Sequence, residues 1–245
     1  MIIPGIPFIL GSLGFITYAF WPRDLSSVIN IPLNSKAEFF SVSAHGVKDN
    51  PDSWSDELQK LIKQNNIVKS QQNISLNWSE FSDNVFICSV SAKKIGHQLG
   101  QRLLKETKVK SIHVIGHSCG AFVALGLCEA VKEQSSDIKI QTTYLDPVSV
   151  YAGVWWNYGI DKFGTCADFS DSYIDTRDGV PGSNINLPYT ATFDVTELGV
   201  KNNNMKPHNW PTQYYLSAYR NKKVPLIKET PQLQNYDLDK LITTH

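Results

Sequence analysis

The sequence has no excess of charge of either sign, since 23 lysine and arginine residues balance 23 aspartate and glutamate residues. A balanced chain lacks the positive field that draws proteins to nucleic acid, so we expect no nucleic-acid partner. Internal repeats and low-complexity tracts are also absent, which excludes repeat architectures. The remaining composition, 42% hydrophobic and 19% charged over 245 residues, is typical of one globular domain with a sizeable core.

Cysteine and histidine are scarce and show no metal-ligand spacing. The four cysteines, at positions 88, 119, 128 and 166, form no CxxC pair, and two of them stand beside or after a glycine-rich turn where a small buried residue suffices. We therefore expect free thiols rather than disulfides. No pair among the six histidines has the spacing of zinc ligands, so we predict neither a catalytic metal nor a cofactor.

Charged side chains are missing from residues 1–21, which are mainly isoleucine, leucine, phenylalanine, glycine and proline. This length approaches the ~20 apolar residues that cross a bilayer, but Pro4 and Pro7 weaken a helix and no cation marks a signal peptide. A membrane anchor, an export signal and an apolar segment packed on the domain remain open. We expect a membrane-associated or exported protein, with a cytoplasmic one as the alternative. Asn73-Ile74-Ser75 and Asn77-Trp78-Ser79 fit the glycosylation pattern, which is too short to establish secretion.

The strongest signal for chemistry is the pentapeptide Gly116-His117-Ser118-Cys119-Gly120. It follows the apolar run 111–115 and opens the alanine- and leucine-rich stretch 121–130, as a nucleophile elbow requires. A serine hydroxyl is a poor nucleophile at neutral pH, so it must be presented on a turn, beside a base and near donors for an oxyanion. The flanking glycines fit because a Cβ there would crowd neighbouring backbone. The alternative is a buried strand that merely ends in a glycine-rich turn.

Two further segments favour catalysis over that alternative. The strand-like residues 39–44 lead into His45-Gly46-Val47, where the backbone N–H of Val47 would join that of Cys119 in an oxyanion hole. The β-rich residues 142–145 end at Asp146, where a carboxylate is well placed to orient an imidazole.

The base should follow the acid, because hydrolases with this elbow have the chain order serine, acid, histidine. Only His208 and His245 follow Asp146, and the chain end at His245 is expected to fray. We therefore expect His208 to be the base. Asp175 and Asp178, after a later strand-like segment, remain the alternative acids.

Strand-like segments alternate with amphipathic helical patterns along the chain. We expect helices at 53–62, 91–106 and 212–219, and strands at 73–78, 140–145 and 173–176. This alternation predicts an α/β fold with a mainly parallel sheet and helices on both faces. The predicted segments are an apolar segment at 1–22, a linker at 23–36, the domain at 37–220 and a tail at 221–245.

An aromatic-rich insertion lies between the proposed acid and base, at residues 151–159. Its Trp155 and Trp156 are candidates for a short substrate cap. The alternative is that these rings only cover the edge of the sheet. No periodicity in the segment separates the two interpretations.

Together these motifs resemble the lipase-like, pancreatic-lipase-type branch of the α/β-hydrolase superfamily. Residues 45–54 are similar to its oxyanion loop, 76–78 to its following strand, 113–121 to its elbow and 145–147 to its acid motif. The resemblance spans most of residues 39–220 and implies an α/β-hydrolase fold. It also implies Ser118 as nucleophile, Asp146 as acid, His208 as base, Val47 and Cys119 as oxyanion donors, and His45, Gly46, Gly116, His117 and Gly120 as supporting motif residues.

The resemblance implies a serine esterase that cleaves a lipid or small ester through an acyl-enzyme. Cys119 stands where the family usually has leucine, which keeps the backbone N–H. The separation between Asp146 and His208 leaves less room for the large lid of digestive lipases, so a long-chain triglyceride is not the expected substrate. A thioesterase or acyltransferase with the same triad, and a catalytically silent binding protein, remain alternatives.

Overall fold

The computed structural model describes residues 14, 17–65, 70–201, 205–221 and 236–244. The strands of these residues form one parallel sheet. They are β1 (Phe39–Ala44), β2 (Gln71–Leu76), β3 (Ser111–His117), β4 (Lys139–Leu145), β5 (Phe169–Ile174), β6 (Ala191–Asp194) and β7 (Ile242–Thr243). Their order is β2-β1-β3-β4-β5-β6-β7, so β3, which precedes Ser118, is an inner strand.

Helices connect these strands and surround the sheet, which makes this an α/β fold, as the sequence pattern predicts. They are α1 (Ser26–Ile29), α2 (Ser55–Asn65), α3 (Ser79–Ser82), α4 (Cys88–Glu106), α5 (Ala121–Lys132), α6 (Tyr158–Lys162), α7 (Thr196–Lys201) and α8 (Trp210–Arg220). Residues 17–20 are also helical. Short 3-10 turns occupy Pro51–Ser53, Ser118–Gly120 and Pro207–Asn209.

Both faces of the sheet are buried by helices. Phe40 and Val114 belong to one hydrophobic cluster with side chains of α4 and α5. The neighbouring residues Phe39 and Ile115 belong to a second cluster with side chains of α2 and α8. Adjacent residues of a strand point to opposite faces, so the inner strands need apolar residues at consecutive positions.

The long elements agree with their predicted bounds to within a few residues, whereas one strand is displaced. The strand expected at 173–176 is observed at Phe169–Ile174. Its polar residues Ser170, Asp171 and Ser172 are fully buried and hide the strand from a hydrophobicity pattern. The short elements α6, α7, β6 and β7 offer no periodicity long enough to recognise.

The cysteines are paired, so the expectation of free thiols is wrong. Cys88 at the start of α4 is bonded to Cys119 beside Ser118, and Cys128 in α5 is bonded to Cys166. No free cysteine remains, and all four positions lie among the described residues. The partners are 31 and 38 residues apart in sequence and meet only through tertiary packing, so CxxC spacing is no guide to them.

The segments interpreted as a linker and a tail both contribute to the fold. Leu25, Val28 and Ile29 are buried in the cluster that contains α4, and Arg102 of α4 donates to the carbonyl of Ile29. Ile242–Thr243 pairs with β6 at the edge of the sheet. Most of the apolar segment 1–22 lies outside the described residues. Among the residues that are described, no helix combines the length and apolar character needed to span a bilayer.

Candidate active site

Ser118 lies at the tight turn between β3 and α5 and has a left-handed backbone, with a φ of +53°. A Cβ added at Gly116 would lie 2.4 Å from the carbonyl oxygen of Gly120, and one added at Gly120 would lie 2.4 Å from that of Ala44. Both positions therefore require glycine, as the elbow motif predicts. The Ser118 residue is 4% exposed and borders a cavity.

The structure brings His208 to this hydroxyl. His208 lies on the Pro207–Asn209 turn that leads into α8, and its Nε2 is 2.8 Å from Ser118 Oγ. Its Nδ1 is 2.8 Å from Asp146 Oδ2 and 2.7 Å from Asp178 Oδ2. The other histidine that sequence order allows, His245, lies outside the described residues.

The three candidate carboxylates differ in their partners. Asp146 follows β4 with a φ of +45°, is fully buried, and accepts a 3.2 Å hydrogen bond from the Asp175 backbone N–H. Asp178, on the loop after β5, accepts a 2.8 Å hydrogen bond from the Ser183 hydroxyl. The Asp175 side chain instead forms an ion pair with Arg177. Two of the three acids considered from the sequence therefore contact the imidazole.

The two carboxyl groups that contact His208 have pKa values shifted in opposite directions, because Asp146 is more deeply buried than Asp178. It raises the pKa of Asp146 to about 8, even though the hydrogen bond and charge of His208 act in the opposite direction. Burial also acts to raise the pKa of Asp178, but hydrogen bonds with Ser183 and Asp146 and the charge of His208 outweigh it, so that pKa is lowered. For His208, burial is outweighed by the two carboxylates, which raise its pKa.

In the loop after β1, His45 contacts Trp78 and Gly46 lies against the Ser118 turn. The His45 ring stacks on Trp78, and the Trp78 Nε1–H donates to the His45 carbonyl at 3.0 Å. These contacts hold the loop after β1 against the segment after β2. A Cβ added at Gly46 would lie 2.9 Å from Ser118 Cβ. Val47, the next residue, lines the same cavity as Ser118.

His117 has a side-chain role that its place in the elbow motif does not reveal. Its Nε2–H donates to the backbone carbonyl of His208 at 2.9 Å, and the two ring centroids are 4.9 Å apart. Burial and the neighbouring His208 lower the pKa of His117 to about 4, so the ring is neutral at pH 7. His117 therefore holds the backbone of His208 without adding a charge beside it.

The cavity beside Ser118 has a volume of about 460 Å³ and a mixed polar and apolar lining. Val47, Trp54 and Met205 supply apolar surface, and the polar lining residues include Lys48, Asp49, Lys206, Asn209 and Gln213. Trp155 and Trp156 are not among its lining residues. They are 46% and 62% exposed, so the structure gives their predicted role as a substrate cap no support at this cavity.

No protein-family model matches the chain, and no curated protein is similar enough in sequence to count as a relative. The resemblance to lipase-like hydrolases therefore stays a prediction from the motifs. The geometry of Ser118, His208 and their neighbours is the evidence that bears on function.

The same geometry includes a group of atoms close enough to bind a cation together. One ligand atom each from Asp146, Asp178 and His208 lies within 4.8 Å of the others. The His208 atom of this group, Nδ1, is also the nitrogen within hydrogen-bonding distance of both carboxylates. A bound metal and a proton on Nδ1 would therefore exclude each other, which makes chelation a useful experimental control.

Ser183 is a neighbour of the candidate site that the sequence does not reveal. Its hydroxyl lies within hydrogen-bonding distance of Asp178 Oδ2 and of the carbonyl oxygen of Val180, which share its one hydrogen, and the residue is fully buried. No periodicity or motif marks a serine in a loop of this kind. Only the resemblance to lipase-like hydrolases points to Trp78, because nothing local in the sequence predicts that it stacks on His45.

Proposed function

We propose that this protein is a serine hydrolase that cleaves carboxylic esters through an acyl-enzyme, on an α/β-hydrolase fold. The observation that supports this most directly is the 2.8 Å distance between His208 Nε2 and the Oγ of Ser118. The left-handed Ser118 turn between β3 and α5 and the carboxylates at His208 Nδ1 add to it. The base is thus within hydrogen-bonding distance of the nucleophile through one ring nitrogen and of the orienting acids through the other.

Each side chain has a defined part in the proposed reaction. His208 Nε2 takes the proton of Ser118 Oγ as the oxygen attacks the ester carbonyl, and the carboxyl groups of Asp146 and Asp178 beside Nδ1–H orient the imidazole. His208 then donates that proton to the leaving alcohol. In the second half of the reaction, His208 activates water, which cleaves the acyl-enzyme and restores the Ser118 hydroxyl.

The proposed oxyanion hole consists of the backbone N–H groups of Val47 and Cys119. Val47 borders the cavity with Ser118, and Cys119 is the next residue of the turn. Each such donor contributes about 3 kcal/mol of transition-state stabilisation in enzymes where it has been removed. Backbone donors explain why the cysteine at position 119 is compatible with this role.

Small or medium-sized esters are the proposed substrates. The cavity volume of about 460 Å³ lies in the range of small-molecule sites. Lys48, Lys206 and Gln213 make part of its lining polar, which disfavours a long alkyl chain. The two disulfides further favour an oxidising compartment, and hence an exported protein, as the place where this reaction occurs.

The decisive experiment is covalent labelling with a fluorophosphonate probe, followed by mapping of the modified residue. The wild-type protein should be labelled at Ser118, and Ser118→Ala should lose the label while keeping its unfolding curve. Ser41→Ala is the matched control, because Ser41 is a buried strand serine outside the cavity lining, and it should be labelled normally. Labelling that persists in Ser118→Ala would contradict the proposal.

A p-nitrophenyl ester series then defines the substrate. Activity should be highest on short acyl chains and fall beyond about ten carbons, because the cavity is small and partly polar. Treatment with a chelator should leave this activity unchanged. Loss of activity on chelation would instead favour a metal at Asp146, Asp178 and His208, and no labelling and no hydrolysis would favour a silent binding protein.

A further inference from the structure

His208 Nδ1 faces more acceptors than it can serve. A neutral imidazole with Nε2 facing a hydroxyl has one hydrogen on Nδ1. Two carboxylate oxygens nevertheless lie within hydrogen-bonding distance of that nitrogen, Asp146 Oδ2 at 2.8 Å and Asp178 Oδ2 at 2.7 Å. The ordinary triad has one acid at this place, so the second carboxylate needs its own explanation.

The fold brings the two carboxylates together through adjacent strands. β4 and β5 are parallel neighbours, with Leu145 in register with Tyr173. Asp146 directly follows β4, and Asp178 lies on the loop after β5. Both carboxyl groups therefore lie beyond the carboxyl ends of these two parallel strands. An oxygen of Asp146 and an oxygen of Asp178 lie within 4.8 Å of each other. Two negative charges this close disfavour simultaneous ionisation, and one proton shared by the pair relieves the repulsion.

We propose that Asp146 and Asp178 act as a pair that shares one proton and one negative charge, with the charge mainly on Asp178, and that together they position His208. This deepens the proposed hydrolase function, and its catalytic consequences rest on that function. In this arrangement Asp178 accepts hydrogen bonds from His208, from Ser183 and from the protonated Asp146.

Solvent access and hydrogen bonding favour Asp178 as the charged member. Its side chain is 12% exposed, whereas that of Asp146 is fully buried. A charge is stabilised by water and by donors such as the Ser183 hydroxyl, which is 2.8 Å from Asp178 Oδ2. The raised pKa of Asp146 and the lowered pKa of Asp178 agree with this assignment.

The other ionisable groups near the imidazole are neutral, paired or in the adjoining cavity. His117 packs against His208 and is neutral at pH 7. Asp175, whose backbone contacts Asp146, is compensated by its ion pair with Arg177. Charged groups that line the adjoining cavity are Lys48, Asp49 and Lys206.

Kinetics of single and double variants test the pair. Asp146→Asn should lower kcat at pH 7 by less than about tenfold, because the amide is neutral like the protonated acid and Asp178 keeps its charge. Asp178→Asn should lower kcat by about 10- to 100-fold, because the charge must move to the buried Asp146. The double variant should lose about 10⁴-fold, the loss typical when a triad has no carboxylate. KM should change little in all three.

Asp194→Asn is the matched control, since this carboxylate ends β6 at the same edge of the sheet and contacts Thr196 rather than His208. It should leave kcat within about twofold of wild type. The pair is refuted if Asp146→Asn alone loses the full 10⁴-fold while Asp178→Asn is unaffected, which is the result expected for one ordinary acid.

NMR of the His208 Nδ1–H proton tests charge sharing without any need for activity. In the wild type, its resonance should shift when His208 itself titrates and again near pH 8 when Asp146 ionises. Asp146→Asn should abolish the second shift and keep the first. One identical transition in both proteins would overturn the pair even if hydrolysis is confirmed, and two transitions would support it even if no ester is cleaved.

Discussion

Backbone strain at single residues is concentrated around the candidate active site. Four described residues other than glycine have a positive φ, namely Lys48, Ser118, Asp146 and Ala152. Lys48 and Ser118 line the cavity, and Asp146 contacts His208. Each such conformation costs about 1–3 kcal/mol and persists only where the surrounding structure enforces it. The cost at three of these positions is consistent with selection for geometry rather than for stability.

Gly120→Ala tests how tightly the Ser118 turn is packed. The new Cβ would meet the backbone carbonyl oxygen of Ala44 at 2.4 Å, so the turn or β1 must shift. The free energy of unfolding should fall by about 1–3 kcal/mol in urea titrations, and probe labelling of Ser118 should slow. Gly179→Ala is the control, because a Cβ there has no neighbour within 4 Å. Equal stability of the two variants would show that the turn is not tightly constrained.

Much of the site is predictable residue by residue because its chemistry limits which residue types fit. Gly116 and Gly120 follow from the steric needs of the turn, and His208 from chain order. The contact of a second acid with His208 is not predictable, since the sequence offers Asp178 only as an alternative to Asp146. Whether one or both reach the imidazole depends on where two loops end in space.

At the scale of elements, the length of a helix or strand determines whether its hydrophobic pattern can be recognised in the sequence. The 19-residue α4 repeats its apolar residues over several turns and is recognisable, although it begins at Cys88 rather than at 91. The four-residue β6 has no room for a repeat. Contacts between elements are harder still to predict from the sequence. The disulfides are the clearest example, because one depends on how α4 packs against the Ser118 turn and the other on how α5 packs against the loop before β5.

The disulfide between Cys88 and Cys119 ties the start of α4 to the residue after Ser118. Alanine at both positions should reduce stability by about 4 kcal/mol and slow probe labelling of Ser118 by about 10- to 100-fold, since small displacements of a nucleophile reduce rate strongly. The comparison is the Cys128→Ala, Cys166→Ala variant, which opens a similar loop away from the elbow. It should lose similar stability in urea titrations yet label at nearly the wild-type rate. Equal labelling rates would refute a positioning role for the first disulfide.

For the whole molecule, the sheet contains buried polar residues that couple stability to pH. Asp171 in β5 is fully buried and accepts hydrogen bonds from Thr143 and Tyr173. His113 in β3 contacts the same Thr143 and is also buried. Burial raises the pKa of Asp171 to about 7 and lowers that of His113 to about 3.

The two shifts change stability in opposite directions over overlapping pH ranges. The lowered pKa of His113 gives stability that is present above about pH 6.5, its ordinary value, and is lost as the pH falls toward 3. The raised pKa of Asp171 gives stability that is complete below about pH 4 and is lost as the pH rises toward 7, where the unfolded chain is already ionised. The two effects nearly cancel between about pH 4 and pH 6.5, so their combined contribution to stability is greatest and almost constant in this range and falls on either side of it.

Asp171→Asn isolates the second of these effects. The variant cannot ionise, so its stability relative to wild type should rise between about pH 4 and pH 7 by about 4 kcal/mol and then stay constant. Urea unfolding at several pH values measures how the stability difference between variant and wild type changes with pH. Hydrogen bonds that the variant lacks at every pH shift this difference by a constant and do not affect the change. Asp168→Asn should show the opposite sign, because burial of that carboxylate is outweighed by hydrogen bonds with Lys132 and the Ile140 N–H, which lower its pKa. A flat difference for Asp171→Asn would mean that Asp171 is already ionised in the folded sheet at pH 4.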